Sequence, residues 1–140
     1  MTILLADGDA ARRDAMTQRC RALAPKARLL PADTPEGALS LMKTGRADVA
    51  VLNLECVSMD WAKRFHGEFS QARLLFTIDP AGRSREALNE AALAAYGLFS
   101  PGFLLLPIDW AEFDRAMEEG LLLASDAFRQ VCPARRAAGE

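Results

Sequence analysis

Histidine is almost missing from this chain: His66 is the only one in 140 residues. The three cysteines, Cys20, Cys56 and Cys132, are odd in number and far apart, with no CxxC pair. That pattern points away from a zinc site and from a disulfide framework. Each cysteine reads instead as a small hydrophobe in a reduced, cytoplasmic protein. No apolar run approaches the roughly 18 residues of a membrane span. The first residues lack the basic start, apolar stretch and small-residue cleavage site of a secretory signal. A phosphate-cradling glycine loop is also absent. Neither sign of charge dominates: 17 basic residues against 19 acidic give a net −2, which argues against general nucleic-acid affinity.

What is present is one domain's worth of chain, 51% hydrophobic and 26% charged, sufficient for a single core. Charge is unevenly spread. Residues 1–30 hold six basic side chains against three acidic ones, a net +3, which leaves −5 for the remainder. Arg12, Arg13, Arg19 and Arg21 cluster there; they read as a solvated face, or as a contact for an acidic partner or a nucleotide phosphate.

Short apolar runs alternate with amphipathic stretches. The runs fall at 3–6, 28–30, 49–52, 74–76 and 103–106, with little internal alternation, as for strands buried on both faces. Helical spacing appears between them, at 10–23, 35–44, 58–69, 85–96 and 110–124. Thr34 and Pro35 suit an N-cap and first helical position. Ser84 is a cap candidate, and Asp109 with Glu112 has capping-box spacing. Trp61, Phe65 and Phe69 recur every fourth residue and read as helix packing, and His66 beside them as a solvated helix residue. This five-fold β-α alternation implies a parallel sheet with helices on both faces and right-handed crossovers. Residues 1–124 form the expected domain; 125–140 lose periodicity and read as a tail or the start of a linker.

In an open parallel α/β sheet, chemistry gathers at the carboxyl ends of the strands. Here those ends carry Asp7-Gly8-Asp9, then Asn53 leading to Met59-Asp60, then Thr77-Ile78-Asp79, then Leu106-Pro107. The set resembles the receiver domain of two-component response regulators, over residues 2–124. The resemblance implies a single doubly wound (βα)₅ flavodoxin-like three-layer sandwich, with a five-stranded parallel sheet in the order 2-1-3-4-5. In that family an acidic pair holds Mg²⁺, an Asp accepts phosphate, and a Thr or Ser and a Lys-Pro complete the pocket. Asp7, Thr77 and Pro107 match, and Phe103 fits the aromatic that switches with the hydroxyl. Gly8 replaces the second acid, Asn53 the phosphate acceptor and Leu106 the lysine. Asp9 reads as a helix cap or a substitute ligand.

These losses remove three parts of one mechanism. An Asn amide is too poor a nucleophile to form an acyl phosphate. Gly8 offers no carboxylate to a hard cation, and Leu106 no positive charge to a transferring phosphoryl group. The expected protein is therefore a pseudo-receiver: no enzyme, no catalytic residue, no metal and no cofactor. It would bind a kinase, an adaptor or its own output domain in bacterial two-component-type signalling, independently of phosphorylation. By the resemblance, the partner or homodimer surface would lie on the last two helices and the fifth strand, with Trp110, Glu112 and Arg115 as interface candidates. Alternatives are a nucleotide sensor, or the N-terminal regulatory domain of a longer transcription regulator.

Overall fold

The five apolar runs form strands β1 (Thr2–Ala6), β2 (Arg28–Ala32), β3 (Val49–Asn53), β4 (Arg73–Ile78) and β5 (Gly102–Leu105) in a computed structural model that describes residues 1–125. Between and after them come α1 (Ala10–Leu23), α2 (Pro35–Gly45), α3 (Met59–Glu68), α4 (Arg85–Gly97) and α5 (Trp110–Ala124). All strand pairs are parallel and the sheet order is β2-β1-β3-β4-β5. This is the flavodoxin-like order expected above. The tail lies outside the described residues beyond Ser125.

Alternation along each strand makes two cores. Leu4, Ala6, Leu52, Leu74 and Phe76 face α2, α3 and α4, where Ala38, Met42, Phe65 and Ala95 cover them. Ile3, Leu5, Val49, Val51 and Leu75 face α1 and α5, against Met16, Cys20, Phe113, Ala116 and Met117. Central β3 is buried along its whole length, as a strand covered on both faces must be. Each helix starts on a side chain that accepts a backbone N–H: Asp9, Thr34, Ser58, Ser84 and Asp109. Such caps satisfy donors that the first turn cannot pair internally. Asp109 accepts from Ala111 N and Glu112 N. Among the described residues Glu112 makes no return bond, so the capping box is half formed.

Three local readings change. Strand β2 continues through Pro31 to Ala32, because an edge strand tolerates a residue without an N–H. Leu106 is only half-buried and falls just past β5, joined to Pro107 by a cis peptide bond. Next to it Leu105 is exposed. His66 is half-buried, with Nδ1 shielded from solvent and without a hydrogen-bond partner. Trp61 stacks on Phe65 at 5.0 Å, and Phe65 lies 5.1 Å from Phe69, so this stripe is the packing surface of α3.

Helix α4 differs from the rest. Ala95 is its one buried residue, whereas Leu93 and Tyr96 are 71% and 82% exposed. Phe99, just past its end, is 75% exposed and has φ +58°. A left-handed phenylalanine is disfavoured sterically, and here its ring points to water as well.

Candidate functional site

The sheet order places the ends of β1, β3 and β4 side by side, so one crevice collects the residues that follow them. Asp7, one residue past β1, is fully buried. Its position is fixed by the backbone, Asp7 N donating to Ala32 O at 3.0 Å. A buried carboxylate needs compensation, and Arg12 from the first turns of α1 supplies it as a fork. Arg12 Nε donates to Asp7 Oδ2 at 2.6 Å and Nη2 to Oδ1 at 2.9 Å. Asp9 N also donates to Oδ1, at 2.8 Å, and Arg13 Nη1 donates to the Asp7 carbonyl at 2.7 Å. Gly8 contributes no side chain. The Asp9 carboxylate turns to the helix and accepts from Arg12 N at 2.9 Å. That bond first, and the nearby Arg12 charge second among the favourable causes, hold the Asp9 carboxyl below its ordinary range. The Arg12 guanidinium is held further toward its charged form by the Asp7 hydrogen bonds, and by the charges of Asp7, Asp9 and Asp79.

At the end of β3, Asn53 is 1% exposed and lies in register with Thr77 of β4, itself fully buried. Asn53 Nδ2 donates to Thr77 Oγ1 at 3.0 Å. Asn53 Oδ1 accepts from Glu55 N at 3.0 Å and Cys56 N at 3.1 Å, which sets the amide orientation. The crevice rim is tied by Arg83, whose Nη2 meets Glu55 Oε1 at 2.7 Å and whose Nε donates to Asp79 O at 3.0 Å. Leu106 N donates to Ile78 O at 2.9 Å, so β5 delivers a hydrocarbon side chain to this end of the sheet. Phe103 is half-buried, one register step from Thr77 and opposite Phe76, against the α2–α4 core.

The expected interface residues separate. Glu112 and Arg115 are exposed on α5. Trp110 turns toward α1: it meets Phe113 edge-on at 5.3 Å, under the Arg19 guanidinium at 6.0 Å.

These geometries do not fit a divalent cation. With Arg12 in place both Asp7 oxygens are engaged, Gly8 offers no side-chain ligand, and Asn53 Oδ1 is used by two backbone N–H groups. Among the described residues no group of three His, Cys, Asp or Glu could hold a metal ion.

Solved structures share this architecture. The signal receiver domain of a DNA-binding response regulator protein (merR) from Colwellia psychrerythraea 34H superposes with a TM-score of 0.73 at 17% identity, over 86% of this chain and 98% of that one. The fold is that of a response-regulator receiver domain. A CheY-like receiver domain protein from Methanospirillum hungatei JF-1 matches the receiver fold with a TM-score of 0.72 at 13% identity, covering 88% and 94% of the two chains. The receiver domain of a modulated diguanylate cyclase from Desulfovibrio desulfuricans G20 matches at 0.68 and 15%, with the same coverage. No family model matches the chain, and no curated protein matches its sequence. Among the described residues no helix is long and apolar enough to cross a membrane.

Sequence reasoning missed Arg12 and Arg83 as crevice residues. The arginines of α1 read as one solvated face, yet Arg12 and Arg13 turn in to Asp7, and Arg19 pairs with Asp114 of α5. The available signal was an arginine in the first turn of the helix that follows an acid at a strand end, where Gly8 stands in place of a second acid. The exposed Leu93 and Tyr96, three residues apart on α4, were missed as well.

Proposed function

We propose that this receiver fold is a cytoplasmic signalling module that binds a protein partner and is not itself phosphorylated. The observation that carries the reading is Asn53: an uncharged amide stands at the end of β3, with each of its polar atoms already bonded to Thr77, Glu55 or Cys56. Gly8 and the half-exposed Leu106 support it, because a phosphoryl group here would meet neither an acidic pair nor an ammonium. The partner surface is assigned to α4, β5 and the outer face of α5, where Leu93, Tyr96, Phe99 and Leu105 stand in solvent and Glu112 and Arg115 are exposed on α5. Exposed aromatic anchors are the usual source of interface energy. A kinase, an adaptor or an output domain is the class of partner that suits such a module.

The test compares variants of the two regions. Partners captured from native extract are purified and titrated by calorimetry against the parent chain, against Tyr96→Ala with Phe99→Ala, against Glu112→Lys with Arg115→Glu, and against Asn53→Ala. The first two variants lose affinity, and Asn53→Ala stays within about 0.5 kcal/mol of the parent, as for a change that breaks no contact with the partner. The reverse pattern moves the function into the crevice.

A further inference from the structure

The crevice contains a positive charge where the receiver resemblance calls for a metal ion. We propose that Arg12 is a built-in counter-ion: its guanidinium neutralises Asp7 permanently, and so makes this fold independent of divalent cations. Three observations converge on it. Asp7 is fully buried, so its carboxylate requires a partner in every folded molecule. Arg12 fills that need with two N–H bonds, Nε to Oδ2 at 2.6 Å and Nη2 to Oδ1 at 2.9 Å, a two-pronged contact that a guanidinium offers and an ammonium does not. The same guanidinium lies 3.9 Å from Asp9 and feels the charge of Asp79. The carboxylates of this corner are thus gathered round one fixed monocation. A divalent ion entering there would have to displace the guanidinium from Asp7 or sit beside it against its charge. Arg13 on the Asp7 carbonyl and Arg83 across the rim hold the surrounding loops.

The inference is independent of the partner reading, because its readout is stability against metal. Thermal unfolding of the full chain is followed by circular dichroism in EDTA and in millimolar MgCl₂ or MnCl₂. The parent chain melts at the same temperature in all three, within about 1 °C. Arg12→Met, which keeps the length of the side chain and removes its charge, lowers the melting temperature by about 5–10 °C in EDTA. Mg²⁺ or Mn²⁺ recovers part of that loss, since Asp7 is then free for another cation. Asp7→Asn with Arg12→Met, which removes both charges, recovers most of it in EDTA and does not respond to metal. If Arg12→Met fails to fold, a folded, metal-insensitive double variant still supports the proposal, and an unfolded one overturns it. Metal stabilisation of the parent equal to that of Arg12→Met, a metal-indifferent Arg12→Met, or a double variant no more stable than the single one each overturns it.

Discussion

Asn53 and Thr77 form a closed polar pair inside the crevice, and closure has a cost when one member is removed. Asn53→Ala strands Thr77 Oγ1 and takes the acceptor from Glu55 N, both of which now use the amide, while Cys56 N keeps its bond to the Asn53 carbonyl. The expected loss is about 1–3 kcal/mol of unfolding free energy in urea, without the change in partner affinity that a binding residue would show. Cys20 gives a pH prediction. Burial pushes its thiol from an ordinary value of 9.0 up to about 12. A group whose folded value is raised contributes stability that is complete below its unfolded value and is lost as pH rises through the folded one. Stability therefore falls between about pH 9 and 12, and Cys20→Ala flattens that limb while lowering stability at neutral pH by opening a cavity. Urea titrations across this range check both parts. At the residue scale the sequence displays its departures from the receiver pattern directly, because Asn53, Gly8 and Leu106 are read one at a time, each in the place of the residue it replaces. It did not show which side chain pairs with Asp7. Arg12 reaches Asp7 only after β1 has ended and α1 has turned back beside it, a geometry that a solvated-face reading of four arginines passes over.

The elements were legible for a physical reason. Strands buried on both faces leave unbroken apolar runs, and helices with one buried face leave period-3.6 patterns, so all ten were found within a few residues. Their edges were less clear where context overrode propensity, as at Pro31 in the edge strand. The crossing of α5 over β5 depends on Gly102: a Cβ there would lie 2.6 Å from Ala116 Cβ. Gly102→Ala must push the helix off the strand, and should cost about 1–3 kcal/mol, measured as a lower urea midpoint. Helix α4 predicts the opposite behaviour. Leu93→Ala and Tyr96→Ala break little packing, and should change stability by no more than about 0.5 kcal/mol. Phe99→Gly removes the steric penalty of the left-handed backbone at φ +58° and should stabilise the fold by about 0.5–1 kcal/mol. If α4 and Phe99 form the docking surface, the same substitution weakens partner binding while raising stability. A Phe99→Gly chain that is less stable than its parent would contradict the description of this turn.

Across the whole molecule, the fold holds a receiver's strand order while its charges serve structure. Arg12 binds Asp7 within one corner, Arg19 joins α1 to Asp114 of α5, and Arg83 bridges the loops after β4 and β3. The hydrogen bond from Arg19 holds the Asp114 carboxyl below its ordinary 3.8, as the Arg12 amide does for Asp9. Folded values that are depressed contribute stability that is present above the unfolded value and lost as pH falls through the folded one. The contribution of these two carboxyls should thus disappear below about pH 4, and Arg19→Gln should reduce the acid-limb slope. The topology was legible because alternating β and α elements admit few connections; the outward apolar face of α4 was not, because an alanine-rich helix signals burial without saying which side is buried. The central claim is that this receiver fold works without phosphorylation, and intact-protein mass spectrometry tests it most directly. The chain is incubated with acetyl phosphate and MgCl₂, alongside Asn53→Asp. Neither should gain a phosphoryl group, the second because Gly8 and Leu106 still withhold the acid and the cation. A single phosphoryl adduct on the parent chain would contradict the account.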